Sequence, residues 1–109
     1  MIFAEAVHTL DEYAAFVKAL KVPVLANITE FGKTPYFSAQ ELAGVGIKMV
    51  LYPLSANRAM SKAANTVYKS ILANGHQRDV LDIMETREEL YEMLGYYKYE
   101  KKLDELFKK

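Results

Sequence analysis

Cysteine is absent from the 109 residues, which excludes disulfides, thiolate metal sites and a cysteine nucleophile within this chain. Proline and glycine are scarce, at three and five residues. Half of the chain is hydrophobic (51%) and a quarter charged (26%), the composition of a folded globular domain and not of a disordered segment. Neither charge is in surplus, with 14 Lys and Arg against 14 Asp and Glu, so no basic excess exists to draw nucleic acid or an anionic membrane. Charges are interspersed except in a Lys/Glu-rich end that reads as a solvated helix. No apolar run approaches the roughly 20 residues of a membrane span. No basic stretch followed by a long apolar one opens the chain, so no signal peptide is evident and the expected location is the cytoplasm. The length allows one domain at most, with a modest core.

What is present is a regular alternation. Three short apolar runs, residues 1–4, 22–28 and 47–52, are too short for helices and largely unalternating, as expected of strands buried on both faces. Helical signals fill the intervals. Thr9-Leu10-Asp11-Glu12 has the spacing of a capping box, and Leu10, Tyr13, Ala14, Val17 and Leu20 then recur along one helical face. Ser38-Ala39-Gln40-Glu41 is a second box, opening a short helix that Gly44 and Gly46 close. After Pro53, Ser55 is expected to cap a helix to about residue 74, with Ala56, Ala59, Met60, Ala63, Ala64, Val67 and Ile71 as its buried stripe and Gly75 just beyond its end. Residues 76–85 read as a linker. Thr86-Arg87-Glu88-Glu89 is a third box, and the helix that follows carries Leu90, Leu94, Tyr97, Leu103 and Leu106, bent or interrupted at Gly95.

Strand, capped helix, strand, capped helix, strand is the grammar of parallel βα units. Three such strands leave both sheet edges open, with 22–28 and 49–52 available for further pairing. A (β/α)₈ barrel needs about 250 residues, so the fold class expected is α/β, the C-terminal part of a TIM barrel. It comprises about three βα units (1–75) followed by a C-terminal helical region (76–109). A free-standing small α/β sheet is the structural alternative.

Parallel α/β folds carry their working groups at the C-terminal ends of strands and in the loops that follow. That rule selects Glu5, expected to be partly desolvated, then Asn27 and Thr29, which share one side of an extended segment, and residues 53–58. The long loop 27–37 suits binding more than a tight connection. Arg58 and Arg87 each fall in the first turn of a predicted helix, where a cation is disfavoured by roughly 0.3–1 kcal/mol. Two guanidiniums at helix N-termini make sense around an anion with two or more carboxylates, whereas the plainer reading is solvated arginine. His8 and His76 lack metal-ligand spacing. Tyr96, Tyr97 and Tyr99 among lysines read as helix packing. No acid, base and metal site occur together.

The motifs Asn27-Ile28-Thr29-Glu30-Phe31-Gly32 with Thr34-Pro35, Tyr52-Pro53-Leu54-Ser55-Ala56 with Arg58-Ala59-Met60, and Thr86-Arg87 with Tyr96-Tyr97-Lys98-Tyr99-Glu100 resemble, in order, the end of barrel strand 7, the end of strand 8 and the C-terminal helices of the 2-methylisocitrate lyases. That family belongs to the isocitrate lyase and phosphoenolpyruvate mutase superfamily. The resemblance implies Mg²⁺-dependent cleavage of the tricarboxylate 2-methylisocitrate to pyruvate and succinate in propionate breakdown. It also implies that Glu5, Asn27, Ile28, Thr29, Arg58 and Arg87 are the substrate-contacting positions. The family's catalytic cysteine loop and its Mg²⁺-binding aspartates lie on earlier strands, so this chain alone is expected to be inactive, with no catalytic or metal-binding residue of its own. Ala4 stands where family members commonly have proline. The family forms tetramers that exchange the C-terminal helices, so self-association is expected. The alternatives are a non-catalytic assembly or anion-binding module, or a related superfamily enzyme of the oxaloacetate hydrolase or phosphonomutase type.

Overall fold

The computed structural model describes residues 1–108. It contains two compact units, divided between Ser61 and Lys62. In the first, strands β1 (Ile2–Ala4), β2 (Val24–Asn27) and β3 (Met49–Leu51) alternate with helices α1 (Leu10–Ala19) and α2 (Ala39–Gly44). Helix α3 (Ser55–Asn74) begins in the first unit and continues into the second. The second unit goes on through a 3₁₀ segment (Arg78–Ile83), α4 (Arg87–Met93) and α5 (Tyr96–Phe107). No helix is long and apolar enough to cross a membrane among the described residues.

The strands form one parallel sheet in the order β1-β2-β3. Ala4 faces Ala26 across the first ladder and Asn27 faces Leu51 across the second. All three strand C-termini therefore lie along one end of the sheet, the end where parallel α/β folds place their sites. The central strand is β2, so the expectation that 22–28 offers an open edge is corrected: the edges are β1 and β3. The strands are also shorter than the apolar runs, and burial on both faces holds only for β2, where Val24, Leu25 and Ala26 are all buried. Met49 and Leu51 in β3 and Ile2 and Phe3 in β1 are exposed, because an edge strand has a neighbour on one side only.

The core is Ala4, Val7, Tyr13, Val24, Ala26, Ile28, Leu42 and Ile47. Tyr13 is fully buried and meets Phe37 edge-on, with ring centroids 6.3 Å apart. The capping boxes at Thr9, Ser38 and Thr86 are all present, each with the hydroxyl accepting from the glutamate N–H and the glutamate carboxylate accepting in return. Gly46 adopts φ +90°, and a Cβ there would stand 2.9 Å from Val17 Cγ1. Both the turn after α2 and its close approach to α1 therefore require glycine.

Ser55 does not cap α3. It is the first helical residue, and its hydroxyl is drawn to Glu30 instead. The stripe expected to be buried on α3 is not: no residue of that helix is buried, and only Ala63 and Val67 of the stripe are even half-covered. Gly75 follows the helix as anticipated, its N–H donating to the Ile71 carbonyl. The region read as linker contains the 3₁₀ segment. Gly95, at φ +65°, separates α4 from α5, and Tyr91 stacks on Tyr96 across that break at 4.4 Å between centroids.

Candidate substrate-binding site at the strand ends

Strand β2 delivers the site's first groups. The ladder with β3 runs one residue past Asn27, where the Ile28 N–H donates to the Leu51 carbonyl at 2.9 Å. Asn27 is half-buried, and its Oδ1 is a buried atom without a hydrogen-bond partner. Such an acceptor is costly to leave unmade and suits a ligand hydroxyl or amide. Ile28 is a core residue, so only its backbone is open to a substrate. Thr29 is half-buried, and its methyl lies 2.9 Å from where a Cβ on Gly32 would stand, which explains a glycine at that point of the loop.

The loop then makes a turn that the sequence did not announce. Phe31 takes the left-handed conformation at φ +62°, uncommon for a bulky residue and costing about 1–2 kcal/mol. The Tyr36 hydroxyl accepts from its N–H at 2.9 Å and helps to hold it. The only other left-handed non-glycine residue among those described is Ala6, at φ +53°, directly after Glu5. Both exceptions follow strand C-termini. Backbone strain collects at binding sites because surrounding structure must over-determine it.

The centre of the site is Glu30, a residue the strand-end rule passed over. Its side chain ion-pairs with Arg58, Oε2 to Nε at 3.5 Å, while the Ser55 hydroxyl donates to Oε1. The Ser55 hydroxyl, the residue's own backbone N–H and the Arg58 guanidinium hold its carboxyl below the usual carboxylate range, against the opposing effect of burial. Arg58 in turn lies over the Phe31 ring, 5.4 Å from its centroid, within cation–π range. One signal could have found this cluster in the sequence. Glu30 follows β2 and Arg58 follows β3, adjacent parallel strands whose loops are neighbours by construction.

Glu5 is exposed, contrary to the expectation of partial desolvation. Its charge reaches the core at one point. Burial first, and then Glu5, push the Tyr13 hydroxyl above its ordinary pKa, with Thr34 opposing. The structure thus gathers Asn27, Thr29 and Arg58 with Glu30 and Ser55 at one end of the sheet in the first unit. Arg87 is the first residue of α4 in the second unit, beside Glu88 and Glu89. Two surface depressions of the first unit lie along Glu12, Ala15, Phe16 and Ala19, and around His8, Asp11, Pro35 and Phe37. A three-stranded sheet supplies one wall of a strand-end site and no enclosure. Among the described residues no three His, Cys, Asp or Glu side chains cluster to hold a metal ion.

The three-stranded parallel sheet and its helices match part of the fold of phosphoenolpyruvate mutase/isocitrate lyase proteins. A solved 2,3-dimethylmalate lyase of that superfamily superposes with a TM-score of 0.80 over 95% of this chain and 36% of its own, at 23% identity. In sequence the chain is 55% identical to the 2-methylisocitrate lyase of Vibrio cholerae over 98% of its length, and 53% identical to that of Escherichia coli over the same share. It is therefore homologous, along practically its whole length, to part of the 2-methylisocitrate lyases, and it spans a little over a third of theirs, 37% and 36% respectively. No family model matches it.

Proposed function

We propose that this chain forms the C-terminal sector of a TIM-barrel carbon–carbon lyase, contributing carboxylate-binding groups for the cleavage of 2-methylisocitrate to pyruvate and succinate. The observation that carries the reading is the convergence of Asn27, Thr29 and Arg58 on the strand-end loops of a segment 55% identical to such an enzyme. Arg58 would bind a carboxylate of the succinate half, and Arg87 is a further substrate-contacting position by the resemblance alone. Asn27 and Thr29 would add neutral hydrogen bonds. As the carbon–carbon bond breaks, negative charge builds on that half, and donors already aimed there stabilise the transition state more than the ground state. Glu5, at the end of β1, would act on hydroxyl protons nearby. The thiol acid and the Mg²⁺ ligands would come from earlier strands, so the isolated chain would be inactive. The complete enzyme would be a cytoplasmic homo-oligomer.

The test is a chimera in which this chain replaces the homologous segment of the Vibrio cholerae enzyme. Pyruvate should be released from 2-methylisocitrate with Mg²⁺, and Arg58→Lys or Arg87→Lys should each lower kcat/KM about ten- to a hundredfold, since lysine keeps the charge but loses the two-pronged geometry. A folded chimera without activity, or unchanged kinetics in both arginine variants, overturns the reading. Pyruvate release by the isolated chain above a protein-free control contradicts its division of labour.

A further inference from the structure

We infer that Glu30 is a positioning residue, which fixes the Arg58 guanidinium by its Nε edge so that the opposite edge is presented to a substrate carboxylate. This rests on the reading of Arg58 as a carboxylate-binding residue. An arginine has five N–H donors on a planar fork, and the Nε–H is the one nearest its own chain. Glu30 Oε2 stands 3.5 Å from that nitrogen, an ion pair, and has no hydrogen-bond partner of its own. The Phe31 ring covers one face of the guanidinium at 5.4 Å. Among the described residues none accepts a hydrogen bond from the Arg58 terminal nitrogens. One edge and one face are thus occupied, and the edge that pairs best with a carboxylate is left open.

The holder is itself held. Ser55 donates to the other carboxylate oxygen of Glu30, which lowers the acid's pKa further below the usual carboxylate range. Phe31 stands in its left-handed conformation against the Tyr36 hydroxyl. Ser55 and Arg58 share the first turn of α3, so one helix end carries both the anchor of the acid and the base that the acid orients. A long, half-exposed arginine would otherwise lose much rotamer freedom on binding. Ordering it beforehand removes that cost from the binding step.

The experiment uses the full-length barrel that carries this segment. Glu30→Gln keeps the size and the acceptor oxygen but removes the charge, and should raise KM for 2-methylisocitrate about tenfold while kcat falls less. In an Arg58→Lys background the same change should add less than about twofold, because the side-on partner is already gone. Ser55→Ala loosens Glu30 without touching its charge and should raise KM in the same direction by about threefold. It decides the matter if Glu30→Gln fails to fold. If Arg58→Lys is kinetically silent, the carboxylate-binding reading itself falls. If Arg58→Lys is costly but Glu30→Gln and Ser55→Ala are silent, only the positioning role falls. Full additivity of Glu30→Gln with Arg58→Lys means that Glu30 acts independently, which also overturns the inference.

Discussion

At Gly46 two constraints coincide, a backbone at φ +90° and a neighbour, Val17 Cγ1, 2.9 Å from the position of any added Cβ. Either alone is tolerable in some settings. Together they leave an alanine no relief, since Val17 belongs to α1, which packs on the core. Gly46→Ala should therefore destabilise the fold by about 1–3 kcal/mol, read as a lower thermal midpoint by circular dichroism. Gly44→Ala is the matched control. Nothing lies within 4 Å of its added methyl, and in helical backbone alanine is favoured over glycine by up to about 1 kcal/mol, so that variant should be neutral or stabilised. Residues of this kind also mark the limit of sequence reading. The glycine at 46 was legible as the close of a helix, whereas its contact with α1 depends on which helix packs beside it. Glu30 shows the same limit at the site. Its loop carries a recognisable motif, but its role depends on Ser55 and Arg58, which are distant in the chain and adjacent only once β2 and β3 pair.

Among the elements, those closed by local chemistry were the most legible. A capping box needs only four consecutive residues, and all three predicted boxes form. Burial of α3 was misjudged for the opposite reason. Its apolar periodicity is genuine, but burial needs a covering partner that periodicity does not provide. The boxes at Ser38 and Thr86 also carry a pH signature. Backbone N–H groups first, and hydroxyls second, hold Glu41 and Glu89 below the usual carboxylate range. A carboxyl whose folded pKa is depressed contributes stability above its unfolded pKa and loses it as pH falls through the folded value. The thermal midpoint should thus decline on acidification below pH about 4. Glutamine can still complete a capping box but does not titrate. The double variant Glu41→Gln/Glu89→Gln should therefore show a shallower decline than the parent, and an identical acid slope would remove these two groups from the account.

For the molecule as a whole, the exposed apolar surface is the dominant physical fact. Ile2 and Phe3 on one sheet edge and Met49 and Leu51 on the other are exposed, as are Met60, Tyr68, Ile71 and Leu72 on α3. Unpaired parallel edges and uncovered apolar helix faces favour association with other chains. Light scattering over a concentration series of the isolated chain should show mass rising with concentration. Met60→Lys together with Ile71→Lys should reduce that rise without loss of helical signal. A well-folded monomer throughout would argue for a self-sufficient module and against a sector of a larger barrel. This is also the scale at which the sequence was least informative. The alternation of parallel strands and helices follows from patterning, but which strand is central does not, and which faces meet water depends on the two-thirds of the relatives' length that this chain does not span.

The position of β2 between two partners has one more result. Its N–H groups are shared between ladders on both sides, and the residues around them are buried, whereas β1 and β3 each have a flank open to solvent. Deuterium should therefore enter the chain from the outside of the sheet inward, replacing the protons of Phe3 and Met49, whose chain neighbours Ile2 and Lys48 donate to β2, well before those of Leu25 and Ala26. The last protons to leave would sit two and three residues away from Ile28, directly beneath the loop that holds Glu30. The part of the molecule that opens least would then be the support of the part that must meet the substrate.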